Sequence, residues 1–189
     1  CIGPDPESRE RLSDKATLKE LIRGTGLSVI PGTKSVASVE EAKSAAAGLG
    51  YPVMLKAWAG GGGRGIRLIH AEEELEEAYL QATAEAASAF GDGRVYLEKY
   101  IFPARHVELQ MLADESGHVV CLGDRDCSLQ RRHQKLLEET PSPAVHDAQR
   151  KRMIALATEA VIKIGYVGAG TLEFLLDPEG NFWFMEMNV

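Results

Sequence analysis

The stretch Pro52-Val53-Met54-Leu55-Lys56-Ala57-Trp58-Ala59-Gly60-Gly61-Gly62-Gly63-Arg64-Gly65-Ile66-Arg67-Leu68-Ile69 decides how this chain folds. Its glycines satisfy the spacing G-x-G-x-x-G, but a dinucleotide-binding loop of that form opens a helix. Here a strand resumes at Ile66, so the glycines lie at the tip of a hairpin. No Gly-Lys-Ser/Thr follows, which excludes a Walker A loop, and no D-F-G or H-R-D element follows, which excludes a kinase-type glycine loop. What remains is a flap, Gly60 to Gly65, whose backbone N–H groups can close over phosphate with no Cβ in the way. The alternative is a solvent-exposed turn, for which four consecutive glycines are a poor choice because ordering them costs much entropy. Lys56, on the strand entering the flap, places an ammonium near any phosphate held there.

Outward from the flap the pattern is mixed. Ser38-Val39-Glu40-Glu41 reads as a capping box, with Ala42, Ala46 and Leu49 at helical spacing and Gly48 and Gly50 as stops. Residues 71–90 carry Leu75, Ala78, Tyr79, Ala82, Ala86 and Phe90 on one stripe, with glutamates in the opening turns. Residues 147–164 repeat the pattern and stop at Gly165, and a shorter helix fits 13–23. Strands are expected at 52–57, 66–69, 95–101, 106–112, 119–123, 168–176 and 182–187. In the 106–112 strand Val107, Leu109 and Met111 alternate with His106, Glu108 and Gln110, which predicts one buried and one polar face. Helices and antiparallel hairpins interleave without regular strand-helix-strand alternation, so the fold class is α+β and not a Rossmann sheet.

Composition sets the outer bounds. The chain has 189 residues and a net charge of −7. That length buries roughly 70% of the unfolded surface and suits one domain, or one domain plus a fragment. No apolar run approaches the ~18 residues of a membrane span, and the N-terminus lacks a signal pattern. Cys1, Cys121 and Cys127 are odd in number and lack metal-type spacing, which points to a reducing compartment, with Cys121 and Cys127 read as small buried hydrophobes. The acidic balance weighs against a nucleic-acid partner.

Two clusters carry chemistry. A four-residue loop at 178–181 pairs Asp177 with Phe182 and sets Glu173 opposite Glu186, with Asn188 on the face of Glu186. Like charges so placed need compensation, and a hard divalent cation supplies it. A one-residue slip in register separates them, and the alternative is two exposed glutamates. Gln130-Arg131-Arg132-His133-Gln134-Lys135 is a cationic run in an acidic chain. It has no aromatic interleaving or second cluster to make a nucleic-acid patch, which leaves a solvated loop or a set of anion-binding donors.

The glycine hairpin beside Lys56, the strand end Glu98-Lys99-Tyr100, the QRRHQK run and the hairpin ending Glu186-Met187-Asn188 together resemble the ATP-grasp core of a biotin carboxylase. This component is shared by acetyl-CoA, propionyl-CoA, methylcrotonyl-CoA and pyruvate carboxylases. The matching text also includes Ile2-Gly3-Pro4, Gly50 to Lys56, Arg105 to Glu108, Arg125 to Ser128 and Gly165 to Gly170, so it covers nearly the whole chain. The resemblance implies an ATP-grasp fold whose two α+β lobes clasp the nucleotide, with the C-terminal lobe truncated. It implies a linker and first helix over 1–28, following an absent N-terminal domain. A lid subdomain with the flap would span 29–100, and an incomplete C-terminal subdomain 101–189.

By the same resemblance Lys15 and Lys56 contact nucleotide phosphates, and Gly60, Gly61, Gly62, Gly63, Arg64 and Gly65 form the lid over them. Glu98, Lys99 and Ile101 hold adenine. His106, Gln130 and His133 lie around the ribose and α-phosphate, and Lys135, with His133, belongs to the catalytic set that faces bicarbonate and carboxyphosphate. Glu173 and Glu186 bind Mg2+ or Mn2+, with Asn188 close by. The implied reaction joins bicarbonate and ATP to give carboxyphosphate, which yields CO2 for the ureido nitrogen of biotin. Implied partners are a biotin carrier protein or domain and a carboxyltransferase component, with a homodimeric parent in the cytoplasm, or the mitochondrial matrix of a eukaryote. No nucleic-acid or membrane partner is implied.

The chain departs from the family pattern at Phe102-Pro103-Ala104, Asp124 and Val189. The family's Arg and Glu for bicarbonate and biotin come just after the Glu-Met-Asn segment. The chain is therefore expected to be the middle of a larger enzyme, binding MgATP weakly without turnover. The alternatives are another ATP-grasp carboxylate ligase, against which QRRHQK counts, and a non-catalytic nucleotide-binding module.

Overall fold

The computed structural model describes residues 15–59, 65–131 and 134–188. Along them run α1 (Lys15–Arg23), β1 (Ser28–Val29), β2 (Gly32–Val36), α2 (Val39–Leu49), β3 (Val53–Ala57), β4 (Ile66–Ile69) and α3 (Glu72–Phe90). They continue with β5 (Val95–Lys99), β6 (Arg105–Ala113), β7 (Val119–Arg131), β8 (Gln134–Glu139), α4 (Asp147–Ile164), β9 (Gly168–Leu176) and β10 (Phe182–Asn188). The chain divides into two compact units, one over 30–101 and the other comprising the chain up to 29 with 102–131 and 135–189. No helix among the described residues is long and apolar enough to cross a membrane.

The first unit is an antiparallel sheet in the order β2-β5-β3-β4, with α2 and α3 packed against it. Ser38 caps α2 by accepting the Glu41 N–H at 3.2 Å, while the Glu41 carboxylate takes the N–H of Ala37 at 2.7 Å. The box thus closes one residue upstream of the expected place. Gly50 ends the helix, and Gly48 stays inside it. Ala42 and Ala46 of α2 meet Leu75, Tyr79 and Ala82 of α3 over Val53, Leu55, Val95 and Leu97 of the sheet. The small alanines let the helices approach closely, and each fully buried Val or Leu stabilises the unit by roughly 1.5–3 kcal/mol.

The second unit is a sheet in the order β1-β10-β9-β6-β7-β8, parallel between β1 and β10 and antiparallel in β10-β9-β6-β7. Its core holds Leu18 and Ile22 of α1, Met153, Ala157 and Val161 of α4, and Val107, Leu109, Met111, Leu172, Phe174 and Phe184 of the sheet. Phe174 and Phe184 meet edge to face, 5.9 Å between centroids. Lys163, near the end of α4, donates to the Gly24 carbonyl at 2.7 Å and ties α1 to α4.

Three expectations need correction. The strand expected at 119–123 continues to Arg131, so Gln130 and Arg131 of the cationic run close β7, and Gln134 and Lys135 open β8. β7 holds this course because its buried carboxylates are satisfied: Asp124 by Arg150 at 2.7 Å and the Ser142 N–H at 2.9 Å, and Asp126 by Arg105 and Ser142, each at 3.2 Å. Second, Phe182 pairs with Leu176, so the turn spans 177–181 and is one residue longer than expected. A bulge at Met185 then restores the Glu186–Glu173 pairing. Third, the even-numbered face of β6 is not uniformly solvated, since Glu108 is 2% exposed.

Candidate functional site

Alternation along β6 puts His106 and Glu108 on the face opposite the core, and Glu173 pairs with Glu108 across β9. Adjacent buried carboxylates repel unless cations come between them. Lys135 of β8 fills that place, donating one ammonium bond to Glu108 Oε2 and another, of 2.7 Å, to Glu173 Oε1. Arg125 of β7 holds the other Glu108 oxygen at 2.5 Å and donates to Gln110 Oε1 at 3.1 Å. Glu173 Oε1 also accepts from Asn188 Nδ2 at 2.6 Å. His106 Nε2 lies 2.9 Å from Glu173 Oε2, close but poorly aligned for a hydrogen bond. Gln130 reaches the other ring nitrogen of His106 at 2.6 Å. Arginine, glutamate, lysine and glutamate thus alternate in one row.

Burial alone raises the pKa of Glu173, but His106 and Lys135 outweigh it and bring it down to about 2. For Lys135, desolvation is overcome by Glu108 and Glu173, which push the pKa up and hold the ammonium charged. Cys127, fully buried beside Glu108, is pushed up to about 12 by desolvation and by that carboxylate. It remains an unreactive thiol, as a small buried hydrophobe should. Cys121 is half-buried, and both are free.

The first unit carries a second constellation. Lys56 of β3 donates to Glu98 of β5 at 2.6 Å, and Glu98 is 2% exposed. Gly32 of β2 lies beside Glu98, where a Cβ would come within 2.6 Å of the Leu97 carbonyl, so only glycine allows this approach. Lys99 commits its N–H to Pro31 O at 2.8 Å and its ammonium to Gly50 O at 2.7 Å. Ile101 follows β5, half-buried. Gly65 adopts φ +69 and accepts the Ala57 N–H at 2.9 Å, which closes the base of the flap.

Among the expected site residues, His106, Gln130, Lys135, Glu173 and Asn188 are joined in one network, and Lys56 and Glu98 in another. Lys15 is the first residue of α1. Gly60, Gly61, Gly62, Gly63, Arg64 and His133 lie outside the described residues. Glu186 stands opposite Glu173 in register, while the nearest grouping of ligand atoms is His106, Glu108 and Glu173, all within 4.8 Å of one another. Glu173, Glu186 and the Asn188 amide offer hard oxygen donors, and Glu173 already draws in a cation, so the set fits Mg2+ or Mn2+. Glu108 and Arg125 were missed as site residues. Both lie in stretches that match the family, Arg105 to Glu108 and Arg125 to Ser128, and Glu108 also shares a face with His106.

The family model for the ATP-binding domain of carbamoyl-phosphate synthase L chain matches residues 14–189. A chloroplastic biotin carboxylase 2 of Populus trichocarpa is 52% identical over 188 residues, 99% of this chain and 36% of that protein. A biotin carboxylase–β-γ-ATP complex from Campylobacter jejuni superposes with a TM-score of 0.95 at 49% identity, covering 99% of this chain and 42% of that one. The biotin carboxylase domain dimer of Hydrogenobacter thermophilus 2-oxoglutarate carboxylase, in complex with MgADP, ADP and bicarbonate, gives the same TM-score, identity and coverage. The chain therefore spans about two fifths of the length of the relatives it matches. It belongs to the family of carbamoyl-phosphate synthase L chain ATP-binding domains, and within that family it stands among the biotin carboxylases.

Proposed function

We propose that this chain is the nucleotide- and metal-binding part of an enzyme that carboxylates biotin on a carrier, using ATP and bicarbonate by way of carboxyphosphate. The observation that carries the reading is Lys135, a half-buried ammonium seated between the buried carboxylates of Glu108 and Glu173. Bringing bicarbonate to a γ-phosphate sets one anion against another, and the work of such a site is positioning and charge neutralisation. Lys135 offers a fixed positive charge at Nζ and, being held charged, does not serve as a base. Glu173 and Glu186, with Asn188, would hold Mg2+ or Mn2+, which when bound neutralises phosphate oxygens.

Lys56 serves the phosphates, and Glu98, Lys99 and Ile101 the adenine. His106 and Gln130 serve the ribose and α-phosphate. Lys15, the flap from Gly60 to Gly65 and His133 take the roles that the resemblance assigns. MgADP and bicarbonate on the 49%-identical H. thermophilus domain support this reading, and its dimeric form supports a homodimeric parent. A biotin carrier and a carboxyltransferase are the proposed partners, in the cytoplasm.

Calorimetry with MgATP tests the assignment. Lys56→Ala removes a charge-assisted contact and should weaken binding roughly ten- to a hundredfold. Equal affinity for the two proteins would refute the phosphate site.

A further inference from the structure

Resting on that reading, we propose that Lys135 is an internal counter-ion seated where the divalent cation must act on Glu173. The arriving ion moves the ammonium off Glu173 while Glu108, pinned by Arg125, keeps it tethered in the site. Lys135 and the Asn188 amide both occupy Glu173 Oε1, at 2.7 and 2.6 Å. A cation ligated by that oxygen must displace at least one of them, and like charge makes it Lys135. Asn188 need only turn its amide over to present Oδ1 in place of Nδ2.

The second anchor decides where the displaced ammonium goes. Glu108 has one oxygen on Lys135 and the other on Arg125, which is itself held by Gln110 at 3.1 Å and Glu138 at 3.5 Å. The Arg125–Glu108 pair does not involve Glu173, so it survives ion binding. Lys135 then pivots about Glu108 with one of its two carboxylate partners removed, and its free donors become available to an anionic substrate. Within the row the charges of Arg125, Glu108, Lys135 and Glu173 cancel. The row itself therefore adds little pull on a bare divalent cation, and the ion draws instead on Glu186 and on the negative charge that a polyphosphate brings with it.

Mn2+ binding without nucleotide, followed by electron paramagnetic resonance, tests this on the chain as it stands. Wild type should bind weakly, and Lys135→Met should bind at least tenfold tighter because a neighbouring positive charge is gone. Lys135→Arg should stay near wild type. A Lys135→Met protein that is folded by circular dichroism yet binds no tighter than wild type overturns the proposal. Glu173→Gln should abolish the binding. If it does not, the ion-site reading fails, and the proposal with it.

A second measurement needs no variant. Acetic anhydride labelling of Lys135, read by mass spectrometry against Lys43 in the same sample, should accelerate several-fold when Mg2+ and ADP are added together. An unchanged rate means that the ammonium has not left Glu173 and overturns the proposal.

Discussion

Glu173 is 3% exposed, yet a lysine, an amide and an imidazole all lie within 2.9 Å of its two oxygens. Its pKa falls from 4.5 to about 2, so the folded state binds the proton less readily than the unfolded chain. A carboxylate depressed in this way contributes stability that is fully present above about pH 4.5. The contribution is lost as pH falls through 2, and the shift corresponds to roughly 3 kcal/mol. Urea unfolding of wild type and Glu173→Gln should therefore differ most near neutral pH and converge between about pH 4.5 and 2. A difference that does not change with pH would show that the carboxylate's charge is not what stabilises the site. At this scale Glu173 and Lys135 were legible as site residues, whereas Glu108 and Arg125 lay in family-like stretches with no role attached to them. Alternation reports which face a side chain takes. How deep that face lies depends on cations delivered from β7 and β8, 17 and 27 residues away.

The hairpin of β9 and β10 shows the same limit at the level of an element. The facing of Glu173 and Glu186 was expected from a four-residue loop, and it arises from a longer turn offset by the bulge at Met185. Before the bulge Phe184 points into the core. After it Met187 does so, and Glu186 and Asn188 share the face of Glu173. Bulges leave little trace in a sequence whose apolar residues are consecutive, as Phe182-Trp183-Phe184-Met185 are. Deleting Met185 should leave Phe184 opposite Phe174 and Glu186 opposite Glu173 in an unbroken ladder, because the bulge holds one residue more than the pairing needs, and should cost roughly 0.5–3 kcal/mol. Thermal melts and Mn2+ binding of the deleted variant check this. Loss of Mn2+ binding in a folded variant would show that the bulge itself sets the facing of the two glutamates.

At the scale of the molecule, the fold class followed from a failure of regular alternation, and the helices from their capping and apolar stripes. Sheet order did not follow. β1 is only two residues long, Ser28 and Val29, with no pattern of its own, and it exists because β10 lies alongside it. β10 is thus an interior strand, flanked by β1 near the start of the chain and β9 just before it. The order of synthesis gives this placement a consequence. The four-stranded unit draws all its strands from residues 30–101 and can complete itself on the ribosome early, since local contacts form first. The six-stranded sheet waits with a gap between β1 and β9 until residues 182–188 emerge. A chain ended at Asn181 should therefore keep slow amide exchange in β3, β5 and α3 and lose it in β6 and β9. Retained protection in β9 would show that the sheet closes without its last strand.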